Sequence, residues 1–239
     1  MSFVVDYIIP FHSDYKRVQK TLVELNEAKK IYPIKNIYLC HNGENNDNFN
    51  LLKSEINLTS GVTLLHTDGV GIGAGYKLGI QNAVSSHIVL SASDLPFKFT
   101  DLKAYIEHDD LSVLGIGSKA HSKSKLVGRS KVRSLATYCF YLARRLALGS
   151  ATPKDSQGTI IVSTDLAKKL LKYECSDSYL FSLEFITYSN CCEGVSVVEL
   201  PIELEEEPIG SSVKIIKHSI EMFKGIFALR NKLRGMKRC

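Results

Sequence analysis

The apolar residues of the chain fall in short blocks that alternate between two periods. Phe3–Ile9 is a nearly continuous apolar run that stops at Pro10, the pattern of a buried strand. From Asp14 to Lys30 the apolar positions Val18, Leu22 and Leu25 recur at helical spacing. Ile37–Cys40 reads as a second strand, halted by the turn signal His41-Asn42-Gly43, and Val62–His66 as a third. A glycine-rich stretch leads into a helix over Tyr76–Ala83, followed by strands at His87–Ser91 and Leu111–Ile116. Strands alternating with helices predict an α/β domain with a mostly parallel sheet and helices on both faces. Ligands of such sheets bind beyond the carboxyl ends of the strands. Four polar clusters lie there: Pro10–Asp14, His41–Asp47, Gly69–Gly75 and Ser91–Pro96.

The last segment has a different pattern. Between Ser212 and Arg238, Ile216, Ile220, Phe223 and Phe227 recur at helical spacing. Ile215, Met222, Ile226, Leu229, Leu233 and Met236 form a neighbouring stripe, with lysines and arginines between. Two readings fit: a basic amphipathic helix lying on an anionic membrane surface, or a helix whose first half closes the core. The predicted organisation is therefore a catalytic or binding domain over 1–211 and a basic amphipathic helix over 212–239.

With 239 residues, 44% hydrophobic and 23% charged, the chain is long enough to bury a full core. No apolar run approaches the roughly 18–20 residues of a membrane span, and the start carries no secretory pattern, so no leader is expected. Six cysteines show no C-x-x-C spacing, and Cys191 adjoins Cys192, which fits a reducing, cytoplasmic compartment. Charge is unevenly placed. Lys119 to Lys154 holds nine Lys/Arg and no acid, and the segment from Lys214 onward carries +7, so the remainder of this +5 chain carries −11. Two basic segments on an acidic body point to a polyanionic partner. Nucleic acid is not expected, because no recognition-motif, KH or finger signature is present. The glycine cluster fails G-x-G-x-x-G, since Tyr76 takes the last place, and no G-x-x-x-x-G-K-[ST] occurs.

Taken in order, the motifs resemble the inverting family 2 glycosyltransferases of the GT-A type, and among them the dolichyl-phosphate mannose and glucose synthases. IIPFHSDY resembles the opening "P-x-Y-N-E" turn, with Asp14 at the acidic position. CHNGENND resembles "D-D-G-S-x-D", with Asn42 replacing the acid that meets the base. GVGIGAGYKLGIQNA resembles "N-x-G-K-G-x-A-x-R-x-G-I-x-x-A", and VLSASDLPF the "D-A-D-L-P" metal motif with Ala92 in place of its first acid. GSK (Gly117–Lys119) resembles "G-S-R", Arg133 with Thr137 falls on "R-x-x-x-S", and LALGSATPKDSQGT resembles "L-L-G…D-T-Q-x-G-F". Phe181–Glu184 matches "F-D-x-E".

The resemblance implies a Rossmann-like GT-A sheet and transfer of a sugar from a UDP- or GDP-linked donor to a membrane polyprenyl or dolichyl phosphate. It implies donor contacts from Pro10, Phe11, His12, Asp14, Asn42, Gly71, Gly73, Lys77 and Ser93. A Mg²⁺ or Mn²⁺ ion would be held by Asp94 and Gln157. Lys119, Arg129, Arg133 and Thr137 would grip the acceptor phosphate. Asp94, Asp155, Arg133 and Lys119 are the implied catalytic set. An ionised phosphate acceptor requires no general base, whereas a sugar hydroxyl requires a carboxylate. The chain has no Trp and no "E-D" with "Q-x-x-R-W" pair, which favours the phosphate. The expected partners are therefore a nucleotide-sugar, a polyprenyl phosphate and an anionic membrane surface or an anchoring protein, with the enzyme peripheral to the membrane on its cytoplasmic side. Two alternatives stay open: a saccharide acceptor in surface-polysaccharide synthesis, and a weakened sugar-nucleotide-binding homologue that has lost the acid at Ala92.

Overall fold

A computed structural model describes residues 3–44, 47–56, 60–127, 131–149, 152–204 and 212–235. The elements run β1 (Val5–Phe11), α1 (Tyr15–Ala28), β2 (Ile34–Asn42), α2 (Asp47–Ile56), β3 (Val62–Thr67), α3 (Ile72–Asn82), β4 (His87–Leu90) and α4 (Thr100–Ile106). They continue β5 (Leu114–Ser118), β6 (Lys125–Leu126), α5 (Lys131–Leu148), β7 (Ile160–Ser163), α6 (Thr164–Leu170), α7 (Phe181–Ser189), β8 (Val197–Pro201), β9 (Glu203–Leu204) and α8 (Ser212–Gly235). A seven-stranded sheet has the order β3-β2-β1-β4-β7-β5-β8, and β6 pairs with β9 apart from it. Every neighbour pair in the large sheet is parallel except those of β7, which runs antiparallel to both β4 and β5.

The alternation along β1 sorts the core onto two faces. Val5, Tyr7, Ile9 and Phe11 join the cluster that takes in Val18 and Leu25 of α1 and Leu102 and Tyr105 of α4. Ile8 points the other way, into a cluster with Ile80 of α3, Leu170 of α6, Phe181 and Phe185 of α7, and Ile226 and Leu229 of α8. Helices thus cover both faces, as expected of strands buried on both sides. Both stripes of the C-terminal helix reach the core: Ile226 and Leu229 of the second are buried, and Phe223 of the first meets Phe140 of α5 edge-on at 5.5 Å. Phe227, also of the first stripe, is exposed. The side chains of Ile215, Ile216, Ile220 and Met222, and all of Met236, lie outside the described residues.

Three elements depart from the expected bounds for local reasons. β2 runs through His41 and Asn42, so the turn begins only at Gly43, whose φ of +138° is a glycine conformation. α3 starts at Ile72 and takes the glycine-rich segment into its first turns. β5 begins at Leu114, because Asp110 Oδ1 accepts from both the N–H and the hydroxyl of Ser112 and holds that stretch as a turn.

One buried acid ties the amino-terminal edge of the sheet together. Asp6 is fully buried and accepts four hydrogen bonds: from Asn36 Nδ2 (2.8 Å), Val84 N (2.8 Å), Ser85 N (2.9 Å) and Ser85 Oγ (2.6 Å). It joins β1 to β2 and to the turn entering β4. Asp6→Ala is expected to destabilise the fold by about 2–4 kcal/mol, since it leaves several buried donors without an acceptor. Asp6→Asn, which keeps one acceptor oxygen, should cost less. Urea unfolding of the three proteins checks the order.

Candidate functional site

Among the described residues, Pro10 and Phe11 end β1, Asn42 ends β2, and Ser93, Asp94, Lys119, Asp155 and Gln157 lie on loops at the carboxyl edge of the parallel strands, while Lys77 lies on α3 and Thr137 on α5. Because β7 is antiparallel, its start at Ile160 sits beside the end of β4 at Leu90 and beside Ile116 near the end of β5. The segment 152–159 leading into β7 is thereby brought to the same edge as the loops that carry Asp94 and Lys119.

Asp155 organises this junction. It is buried, and its two carboxylate oxygens are both engaged: Oδ2 accepts from the Lys119 amide (3.1 Å) and Oδ1 from the Gln157 amide (3.0 Å). Its own amide donates to Glu199 Oε1 (3.1 Å) on β8, which also accepts from Ser118 Oγ (2.6 Å). Lys119 Nζ lies 5.8 Å from the centre of the Phe97 ring. Gly158 passes so close to Gly117 that a Cβ on it would lie 1.7 Å from the Gly117 carbonyl oxygen, and the Gly117 amide donates to Thr159 O at 2.9 Å.

Asp94 is exposed, on a turn fixed by its neighbours. Leu95 and Phe97 are buried beside it, and Leu95, Lys98 and Phe99 all take positive φ angles. The Ser93 carbonyl accepts a hydrogen bond from Thr21 Oγ1 on α1. These anchors leave the Asp94 carboxylate turned outward. Gln157, on the segment leading into β7, is likewise exposed. A carboxylate and an amide oxygen are hard donors that suit Mg²⁺ or Mn²⁺ with retained waters. No cluster of three His, Cys, Asp or Glu side chains suited to a metal exists among the described residues. A cation here would therefore take most of its ligands from phosphate and water.

Beside Lys119 opens a cavity of about 360 Å³ lined by Lys119, Ala120, Leu126, Thr137, Tyr138, Tyr141 and Lys154. It pairs two cations with two aromatic walls. Along α5 from Tyr138, Leu142 and Leu146 continue one exposed stripe. The side chain of Arg133 and the whole of Arg129 lie outside the described residues. A wider depression of about 1010 Å³ sits at the opposite edge of the sheet, around Ser85, His87 and Thr164, and holds none of the expected residues.

The donor side is built differently from expectation in two places. Asp14 caps α1, accepting from Arg17 N (3.2 Å) and pairing with Arg17 Nε (3.0 Å). The glycine cluster is covered by residues 175–178. A Cβ on Gly71 would lie 2.3 Å from Asp177 O, one on Gly73 2.3 Å from Ser176 O, and the Gly73 amide donates to Asp177 O (2.8 Å). Lys77 pairs with Asp177 Oδ1 (2.6 Å) and donates to Cys175 O (2.8 Å). These glycines serve a close backbone crossing, and one N–H of the α3 N-terminus is already taken.

Around Asn42 the walls are aromatic. Phe11 packs against Tyr15 at 6.0 Å and His41 at 5.2 Å. His12 Nδ1 donates to the Asn42 carbonyl (2.7 Å), and Gly43 leaves room for its ring. His41 Nε2 donates to His12 O (3.0 Å), so its Nδ1 accepts from His66 Nδ1 (3.0 Å), whose Nε2 faces Asp68 (3.2 Å). Burial lowers the pKa of His41, consistent with the neutral, accepting ring that this chain of bonds requires. Asn42 itself is buried, and its Oδ1 has no partner.

No family model matches the sequence, and no curated protein is recognisably similar to it. Solved structures do match. Glucosyl-3-phosphoglycerate synthase from Mycobacterium tuberculosis, in complex with Mn²⁺, uridine diphosphate and phosphoglyceric acid, superposes with a TM-score of 0.69 at 12% identity, over 96% of this chain and 79% of that one. The same enzyme with Mn²⁺, UDP-glucose and glycerol 3-phosphate gives 0.65 at 13% identity, over 96% and 80%. Mannosyl-3-phosphoglycerate synthase from Rubrobacter xylanophilus gives 0.59 at 11%, over 98% and 76%. The fold is the GT-A fold. The two enzymes named here are glucosyl- and mannosyl-3-phosphoglycerate synthases, and neither is a lipid-phosphate synthase.

Sequence reading did not single out Glu199, Asp177, His66 or Arg144. Arg144, on α5, is 1% exposed; its Nη2 donates to Lys154 O (2.8 Å), while Nε and Nη1 have no partner. Burial lowers its pKa, and the carboxylates of Asp155 and Glu199 oppose that shift. A buried arginine in a basic run looks like any other member of the run.

Gly158→Ala should separate the junction from the rest of the fold. A methyl group there meets backbone, so the expected loss is about 1–3 kcal/mol with faster amide exchange at Gly117. Gly235→Ala, with open space around its Cβ, should be neutral or stabilising by up to ~1 kcal/mol.

Proposed function

We propose that this chain is a glycosyltransferase that moves a sugar from a nucleotide-sugar to a phosphate-bearing acceptor. The observation that carries the reading is the cavity beside Asp155: two lysines and two tyrosines at the carboxyl edge of a GT-A sheet, next to the strand that presents Asp94. The structural relatives support the reading, since each is named for transfer of a sugar to phosphoglycerate, and complexes of one of them hold UDP with Mn²⁺ or Mg²⁺.

In this reading the base lies against Phe11 and offers an N–H to the unpartnered Oδ1 of Asn42. Asp94 and Gln157 hold Mg²⁺ or Mn²⁺, which supplies charge neutralisation for the departing diphosphate. Lys119 and Lys154 flank the acceptor phosphate, with Thr137 on the helix side, and Arg133 and Arg129 are proposed as further phosphate contacts. Asp155 uses both oxygens on backbone amides, so it positions Lys119 and Gln157 and abstracts no proton. An ionised phosphate needs none abstracted; orientation and neutralisation suffice.

For the acceptor we favour a polyprenyl phosphate. The cavity opens onto the exposed stripe Tyr138, Leu142 and Leu146, which suits an apolar tail, and the basic C-terminal helix suits an anionic membrane surface. No helix among the described residues is long and apolar enough to cross a membrane, so in this reading attachment is peripheral. A small phosphorylated acid is the second reading, supported by the named relatives.

The test is a panel of labelled nucleotide-sugars with Mg²⁺ or Mn²⁺, offered either a polyprenyl phosphate or 3-phosphoglycerate. Label in the organic phase supports the lipid acceptor, and label on phosphoglycerate supports the second reading. Label on neither, with nucleotide still bound, leaves a binding homologue. Asp94→Asn should lower turnover about 10²-fold and abolish its metal dependence. Arg133→Ala should raise the acceptor KM about tenfold with donor binding unchanged.

A further inference from the structure

We propose that helix α5 is the face by which this protein rests on an anionic lipid bilayer, with Tyr138, Leu142 and Leu146 entering the acyl boundary and the surrounding cations meeting the headgroups. The inference rests on the lipid-acceptor reading and extends it from the tail of the acceptor to the bilayer that holds it.

Tyr138, Leu142 and Leu146 follow one another at four-residue spacing along α5 and are 57%, 37% and 84% exposed. At the rise of an α-helix this stripe is about 12 Å long. Other exposed large apolar side chains, such as Val23, Val70 and Val84, stand on separate elements and loops. Single exposed apolar residues are ordinary, whereas a line of them marks a contact surface. The polar atoms beside the stripe suit a membrane–water boundary. Tyr141 lies 6.5 Å from Tyr138, ring to ring, and its hydroxyl accepts from Nη1 of the exposed Arg145 (3.2 Å). Tyr and Arg both carry an apolar body and a polar tip, the build favoured at that boundary. Charge selects the occupant. Lys119 to Lys154 holds nine Lys/Arg and no acid, and residues 223–235 of α8 include no acid either. α8 packs beside α5 through Phe223 and Phe140 and exposes Lys224, Lys232 and Arg234. The fold thus gathers both basic segments of an otherwise acidic chain into one region. Among its described side chains α8 keeps little apolar surface outside: Ile226 and Leu229 are buried, Phe223 and Leu233 pack on the core, and Phe227 is the large one left exposed. α5 therefore contributes the apolar contact and α8 adds charge. A convex helix with cations dispersed around it suits a fluid anionic surface, whose headgroups move to meet each charge; a folded protein partner would need carboxylates fixed opposite them. The cavity between Lys119 and Lys154 takes Thr137, Tyr138 and Tyr141 from α5, so docking this helix brings the cavity to the level of the headgroups.

Vesicles of phosphatidylglycerol and phosphatidylcholine that contain no polyprenyl phosphate read this contact apart from any reaction. The full chain is expected to sediment with them at low salt, and about tenfold more weakly with phosphatidylcholine alone. Leu146→Glu should weaken binding about tenfold or more, since it removes an apolar contact and sets a carboxylate against anionic headgroups. Leu146 is largely exposed, so this variant keeps the fold, which urea unfolding checks. Phe227→Ser should leave binding nearly unchanged. The chain has no Trp, so Leu146→Trp supplies a single reporter whose emission should shift to the blue on anionic vesicles. A full chain that ignores anionic vesicles overturns the proposal. So does Leu146→Glu binding like the unaltered chain, or a Leu146→Trp emission that does not move. Phe227→Ser losing as much as Leu146→Glu also overturns it, by moving the contact to α8. Vesicle binding through Leu146 without sugar transfer to a polyprenyl phosphate upholds the contact and overturns the lipid acceptor alone.

Discussion

The contact on which the site depends is the crossing of Gly158 over Gly117. With two residues that lack side chains, the segment before β7 lies directly on the end of β5, and an amide–carbonyl bond fixes it there. Any side chain at 158 would hold these backbones apart. From this crossing follow the reach of the Asp155 carboxylate to the Lys119 amide, the exposure of Gln157 beside the turn of Asp94, and the cavity between Lys119 and Lys154. The antiparallel course of β7 is the larger expression of the same constraint. It lets one strand deliver its preceding loop to the edge where all the parallel strands deliver their following loops.

Much of the first half was legible because its elements are local. The strands at Val5, Ile34, Val62 and His87 and the helices at Tyr15 and Ile72 carry their own periodicity, and turn residues punctuate them. The polar clusters at strand ends fall together at one edge of the sheet, where Asp94, Lys119, Asp155 and Gln157 also lie. What stayed hidden depends on partners distant in sequence. Nothing near Gly71 and Gly73 announces that residues 175–178 will be laid on them, so a phosphate cradle and a backbone crossing read alike. Asp14 fits an acidic site position and a helix cap equally well until Arg17 is seen beside it. Asp155 and Glu199 meet through the fold alone, and a basic stretch without acids conceals that Arg144 is the member that turns inward.

The two sides of the edge differ in their chemistry. The side around Lys119, Asp155 and Glu199 is governed by full charges placed close together and partly withdrawn from water. The Asn42 side is aromatic, and its polarity is carried by His12, His41 and His66, whose ring nitrogens bond backbone carbonyls, each other and the Asp68 carboxylate. Gly43 and Phe11 shape the space, and the neutral His41 ring keeps charge away from it. A flat, weakly polar group and a compact anion would thus each find a different half of one cleft.

The covering of the glycine turn by residues 175–178 has a consequence for the order in which the molecule is made. During synthesis β1, β2, β3, β4 and α3 emerge first and can pair among themselves. β4 nevertheless lacks a neighbour on one side until β7 (Ile160–Ser163) has left the ribosome, and the N-terminal turn of α3 lacks its cover until residues 175–178 have followed. Contacts this distant in sequence are slow to form. The carboxyl edge is therefore assembled last, on a half-sheet that has already waited with one flank open.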